Sequence, residues 1–319
     1  MKTTSPKTRH SVHPTCQNFV AVVEELLARR QHELQASPPR PAWLDADWGP
    51  RTWTRTEMED MVYGSYKPMR QGRITRPPRR ETVMEITNYL NCTLEERNRL
   101  LVAAAATPVA PYLTGPELDS VVQIASRLAQ KMALPAMVIN RDWHIHYFNE
   151  PLIRLYDVTS EQLAALSPHQ FNLLHLLFDP RLPLYPRLIQ NRASWARMAR
   201  QTVYGFKSAN VLYQFEPWYQ DLLAQLMTLP EFELHWQAVK VNAPFDVDHS
   251  AHARPSAVMV DALVSSPSEA RHAWLRPLLI SVGYFQFDFP QIVAFLPADA
   301  ESENVFNEIG VPFPSQPLP

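Results

Sequence analysis

The sequence predicts an α+β protein that is predominantly helical, with an all-α first part and a second part that closes a small antiparallel sheet. Three observations predict it. Over most of the chain apolar residues recur at three- and four-residue spacing, the helical period. One stretch, Ala133 to Asn149 (ALPAMVINRDWHIHYFN), instead alternates about a polar Asn140-Arg141-Asp142 pivot, as a β-hairpin does. Further strand-like runs come only more than a hundred residues later, at Ser256 to Val264, Leu278 to Phe287 and Gln291 to Leu296. An isolated hairpin is marginal in water, so the sheet must gather these runs around the helices between them.

A chain of 319 residues can hold two domains. The segment TPVAPYLTGP (Thr107 to Pro116) has the proline and glycine of a linker, and it divides residues 1–113 from 114–319. There are only 7 glycines against 30 prolines, and none fall at the spacing of a G-x-G-x-x-G or Walker cradle. No G-x-S-x-G elbow is present either. The two cysteines, Cys16 and Cys92, lie in separate predicted elements, as reduced thiols of a cytoplasmic protein do. No apolar run approaches a membrane span, and the first residues carry no apolar signal core. The net charge of −2 conceals an asymmetry: 16 Lys and Arg against 12 Asp and Glu up to Leu113, then 14 against 20. A basic first part fits a polyanionic partner.

In that part, helices are expected at Cys16 to Leu34, over Met58, Met61 and Val62, at Arg80 to Leu90, and from Thr93 to Ala106. Thr54/Glu57 and Thr93/Glu96 have capping-box spacing. The last helix turns Leu100, Leu101, Ala104 and Ala105 inward. Between Gly64 and Arg80 there is no acidic residue. Ser65, Tyr66, Lys67, Arg70, Arg73, Arg76, Arg79 and Arg80 are the candidate nucleic-acid contacts, cations for phosphates with small polar groups among them. A solvated basic loop is the other reading of the same run.

The order of these helices, with the ending RPPRRETVMEITNYLNCTLEERNRLLVAAA, resembles the helix-turn-helix domain of Xre-type (lambda-repressor-like) bacterial regulators. That resemblance implies double-stranded DNA as a partner, read in the major groove by the third helix, and a homodimer matched to palindromic half-sites. Two departures from the family pattern are visible: a long loop from Gln35 to Trp53, and a short third-helix segment that contains Pro68. They keep open an alternative, a ligand-binding or protein-interaction module whose helix-turn-helix is degenerate and non-specific.

The second part opens with an amphipathic helix, Glu117 to Met132, lined by Leu118, Val121, Val122, Ala125, Leu128 and Met132. Helices follow at Pro151 to Tyr156, Ser167 to Phe178, Asn191 to about Tyr213, from Pro217, and at Phe232 to Val239. Large apolar residues on them, Phe171, Leu174, Phe178, Trp195, Met198, Phe206 and Trp236, together with Phe148 on the hairpin, are the candidate lining of an apolar pocket. The same stripes would equally serve as core. Three segments (INRDWHIHYFNEPLIRLY, LLHLLFDPRLPLYP and LPEFELHWQAV) resemble the MmyB-like ligand-binding domain, a PAS-like fold. The resemblance implies a sensor for a small apolar ligand, a fatty acid or other fatty-acyl-like molecule being one suggestion.

No catalytic constellation emerges, and the protein reads as a regulator rather than an enzyme. His144 and His146 share a strand face, and His249 and His252 share a helical spacing. Neither pair has a third ligand at recognised spacing, so no metal and no cofactor is expected.

Overall fold

A computed structural model describes residues 14–36, 51–189, 191–241, 260–265, 270–282 and 288–311. The chain divides into two compact units: residues 1–109 with Leu212–Glu216, and residues 110–211 with 217–319.

The first unit is built of helices α1 (Pro14–Ala36), α2 (Arg55–Met61), α3 (Tyr66–Arg70), α4 (Arg80–Tyr89) and α5 (Leu94–Ala103). Its core gathers Phe19, Val23, Leu26, Met58, Tyr66, Val83, Ile86, Leu90, Leu100 and Leu101, the positions that the helical period sets on one face. Thr93 and Glu96 close the expected capping box on α5. At α2 only half of the expected box forms. Thr54 caps the Glu57 amide, but the Glu57 carboxylate turns away to the Thr52 backbone N–H and hydroxyl and to the Tyr89 hydroxyl. Met61, expected inward, is half exposed because α2 ends there. Ala105, also expected inward, is exposed: α5 stops at Ala103, and Ala105 takes a left-handed φ of 55°.

A buried pair ties α1 to α5. Arg30 meets the Glu96 carboxylate and also donates to the Leu90 carbonyl (2.8 Å) and the Asn91 carbonyl (3.2 Å). Glu96 is thus committed twice, to its helix cap and to α1. Removing one partner of such a pair strands a charge out of water.

The second unit begins with α6 (Gly115–Gln130), the strands β1 (Ala136–Ile139) and β2 (Ile145–Phe148), and the helices α7 (Glu150–Tyr156) and α8 (Ser160–Ala164). A 3-10 turn at Pro168–Gln170 precedes α9 (Leu173–Phe178), α10 (Tyr185–Leu188), α11 (Arg192–Ala209), α12 (Pro217–Leu226) and α13 (Pro230–Ala238). The chain then returns as β3 (Val260–Ser265), β4 (Ala270–Ser281) and β5 (Gln291–Pro297), and α14 (Ala300–Glu308) follows. The sheet is antiparallel in the order β2-β1-β5-β4-β3, so the early hairpin does pair with late strands. The expected strand from Leu278 to Phe287 is instead the end of a longer β4. Residues 256–259 and 283–287 of the expected strands lie outside the described residues, as do His249 and His252.

α6 rests on one sheet face through Ala125 and Ala129, which meet Ala136, Val138, Ile292 and Ala294. Small side chains on both surfaces bring the helix axis close to the sheet, so the inward face is narrower than the apolar stripe. Leu128 is consequently 49% exposed, and Leu118 and Val122 are only half buried. The expected helix from Ser167 to Phe178 is broken at Phe171, whose carbonyl accepts from the Ile145 N–H (2.6 Å).

Asn149 joins these parts and is fully buried. Its Oδ1 accepts from the Ala136 N–H (2.8 Å) at the start of β1 and the Leu152 N–H (3.0 Å) in the first turn of α7. Its Nδ2 donates to the carbonyls of Leu134 (2.7 Å) and, in α6, Ala129 (3.1 Å). Asn149→Ala should lower the stability of the second unit by about 3 kcal/mol, since the buried backbone groups lose their partners. Asn149→Ser, which keeps an acceptor for the helix cap, should recover about 1 kcal/mol of it. Urea denaturation of the full chain measures both.

Candidate ligand-binding and nucleic-acid surfaces

The eight candidate DNA contacts do not share one fate. Lys67 and Arg70 are exposed on the five-residue α3, Arg73 and Arg76 on the segment after it, and Arg79 and Arg80 at the start of α4. Ser65 is exposed as well, at the N-cap of α3. Tyr66 is not. It is fully buried, and its hydroxyl donates to Glu24 Oε1 at 2.9 Å. Burial and then Glu24 drive its phenol pKa far upward. Tyr66 is therefore corrected from a surface contact to a core residue, for a physical reason: a helix this short needs Tyr66 and Met69 as its anchor.

Other cations of this unit are structural. Arg97 is fully buried and donates to Thr87 Oγ1 (2.5 Å) and Asn88 Oδ1 (3.0 Å); burial pulls its pKa down to about 10. Arg51 donates to the Tyr89 carbonyl (2.6 Å) with its guanidinium 5.7 Å from the Trp53 ring. Sorting buried from exposed cations leaves the run from Lys67 to Arg80 facing solvent.

In the second unit the expected pocket residues pack on one another. Phe178 meets Trp195 (5.8 Å) edge-on, and Phe232 (5.2 Å) as well. Trp236 stacks on Phe232 (5.4 Å) and lies 6.5 Å from Phe206, which stacks on Tyr219 (5.4 Å). Leu174, Phe178, Trp195, Met198, Phe206 and Trp236 are all buried, while Phe148 and Phe171 are half buried. Such edge and offset contacts are those of a filled aromatic core.

The hairpin turn is locked onto α11. Trp143, expected with Asp142 as turn and core anchor at the head of the second strand, has a left-handed φ of 61°. Its ring lies where a Cβ on Gly205 would come within 3.4 Å, and it meets Phe206 edge-on at 5.4 Å. Arg141 donates to the Ala209 carbonyl (3.1 Å), and Asn210 returns a bond to the Arg141 carbonyl (3.3 Å). His144 N–H bonds both Asn140 Oδ1 and Asp142 Oδ1 within the turn.

A cavity of about 250 Å³ opens beside this turn. One wall is the segment Tyr112–Thr114 with Gly115 and Leu118 of α6; the others are the turn Asn140–Asp142, Trp218 of α12, and Phe289. None of the eight expected pocket residues lines it. From the sequence Tyr112 falls in a linker, Arg141 in a turn and Trp218 in a helix that starts at Pro217. No periodic signal links them, since they converge only through the lock between the turn and α11.

The sequence comparisons bear on this second unit. Residues 122–257 match the family model for the MmyB-like transcription regulator ligand binding domain. Over that stretch the chain is similar to a ligand-binding domain of transcription regulators. No curated protein matches the sequence. Among the described residues no helix is long and apolar enough to cross a membrane.

Three histidines of this domain are held neutral by burial. His175 has both ring nitrogens buried without hydrogen-bond partners, and its pKa lies below the ordinary 6.5, chiefly from desolvation. His146 and His235 are lowered in the same way, His146 also by His144, whose ring is 4.9 Å away. The unfolded chain therefore takes up protons first as pH falls through 6.5, and stability is lost below that point. The urea midpoint should drop between about pH 7.5 and about pH 5.5, and His175→Leu should flatten part of that drop. An equal slope in the variant would remove His175 from the account.

Proposed function

We propose that this protein is a DNA-binding transcription regulator of the Xre helix-turn-helix type, acting in the cytoplasm as a homodimer on double-stranded DNA. The observation that carries the reading is the joint presence of an MmyB-like ligand-binding domain at 122–257 and, ahead of it, a solvent-facing run of six cations without an acid. In this reading Lys67 and Arg70 on α3, Arg73 and Arg76 after it, and Arg79 and Arg80 at the start of α4 meet phosphates, and Ser65 and Lys67 stand nearest the base edges. The second unit binds a small, mostly apolar molecule, and that molecule changes DNA affinity because it prefers one of two states. A fatty-acyl chain is the ligand that the family resemblance raises.

α3 also favours a second reading. Two of its five residues are anchored in the core, which leaves few side chains to discriminate bases. A domain that binds DNA through phosphates alone would have the same cations and little sequence preference.

Replacing Arg70, Arg73 and Arg76 together with Ala tests the surface. Loss of three phosphate contacts should weaken DNA binding and flatten the plot of log K against log salt by about 3. Retention unchanged across the salt series would place DNA binding elsewhere. Retention of the protein's own upstream DNA against random competitor separates the two readings.

A further inference from the structure

We propose that two copies of this chain pair through α6, side by side and antiparallel, crossing at Ile124. This deepens the reading above: it rests on the homodimer proposed there and names the surface that forms it.

The outward face of α6 is apolar where a surface helix is ordinarily polar. Ala125 and Ala129 take up the inward face. On the other side Ile124 is 51% and Leu128 49% exposed, and Val121 is half buried. The three follow the three-then-four spacing of a helix-pairing seam. Contiguous apolar surface of this kind marks an interaction site. It does not end with the helix. Leu278 and Ile280 of β4, 43% and 36% exposed, stand opposite Ala294 and Ile292 of β5. They therefore lie on the sheet face that α6 covers, and they widen the apolar area available there to a partner.

Charge says what the partner is. Glu117 lies seven residues before Ile124 and Lys131 seven after it, two helical turns each way, so the three share one line along the helix. Both end residues are exposed, and among the described residues neither has an ion pair. An antiparallel second copy crossing at Ile124 sets residues equidistant from it opposite each other. Glu117 then meets the partner's Lys131 at one end, and Lys131 meets the partner's Glu117 at the other. A parallel copy would set like charges together at both ends, which disfavours it. The positions between fit as well. Leu128 falls opposite the small Ser120, and Arg127 opposite Val121, over which its aliphatic stem can lie.

The helix dipole also favours an acid near the N-terminus and a base near the C-terminus. It acts on every face, however, and does not ask for an apolar line between them. A pair built in this way has a two-fold axis and one self-complementary patch, so it closes as a dimer. That is the symmetry that palindromic half-sites require.

Sedimentation velocity on the full chain tests the surface. The native chain should run as a dimer. Ile124→Glu, which sets two carboxylates at the crossing point, should run as a monomer with an unchanged urea midpoint, because Ile124 is exposed. Glu117→Lys and Lys131→Glu should each weaken self-association at least about tenfold, since like charges then meet at both ends. Mixed in equal amounts, those two variants should dimerise again, each bringing the charge that the other lacks. Direction is read by oxidation: chains with Glu117→Cys should cross-link to chains with Lys131→Cys, and neither should cross-link to itself. A monomeric native chain, a dimer that Ile124→Glu leaves intact, mixed charge variants no tighter than either alone, or self-cross-linking of Glu117→Cys would each overturn the proposal. Only the first of these also removes the homodimer from the reading above. DNA retention on the same samples reports on the regulator separately: a dimer formed through α6 that retains no DNA rejects the regulator and leaves the surface standing.

Discussion

One buried amide holds the second unit in register. Asn149 has two donors and two acceptor lone pairs, and the structure uses all of them on backbone groups. They belong to α6, to the approach to β1, to β1 itself and to α7. Three elements, α6, β1 and α7, and the approach to β1 are thereby fixed at one point. An apolar residue there would leave those backbone groups unpaired in the core, at a cost comparable to losing the bonds themselves. With β1 fixed, β5 can pair along it, and β4 along β5, so sheet closure depends on a contact made more than a hundred residues upstream. The same anchor fixes where the hairpin turn emerges, and with it the lock of Arg141 and Trp143 onto α11.

Much of this was legible in the sequence, and the reason is local. An apolar run at Ala136 to Ile139 and alternation from Trp143 to Phe148 mark two strands whatever surrounds them, and Thr93-Leu-Glu-Glu96 caps a helix through contacts only three residues apart. Where legibility failed, the deciding contact was remote. Leu128 belongs to a good apolar stripe, yet the sheet offers α6 alanines, and only Ala125 and Ala129 come inside. Trp143 reads from the sequence as turn and core anchor, but the slot that receives it is made by Gly205 on a distant helix. Small helices such as α8 and α10 carry too few periods to be seen.

The candidate surfaces show the same division. A charge count separates a basic first part from an acidic second part, but it cannot tell Arg97, buried against Thr87 and Asn88, from Arg73 in water. Burial makes that distinction, and it also moves Tyr66 from the list of contacts to the core, where it is the price of stabilising a five-residue helix. The aromatic stripes leave two readings open for a related reason: rings spaced along helices are compatible with a cavity or with mutual packing. Here the rings are close enough to fill the space, as protein interiors do at their usual density.

That density shapes what regulation the fold permits. A ligand that entered between Phe178, Trp195, Phe232 and Trp236 would have to part stacked and edge-on rings, and each lost contact would count against its affinity. A ligand beside Tyr112–Thr114 would face no such cost, because the space there exists already. Coupling then needs only that the segment before α6 differ between two states, since a ligand shifts an equilibrium by its differential affinity and by nothing else. A core this tightly packed is a rigid frame, and the chain entering it is the element whose position a small molecule can change at least expense.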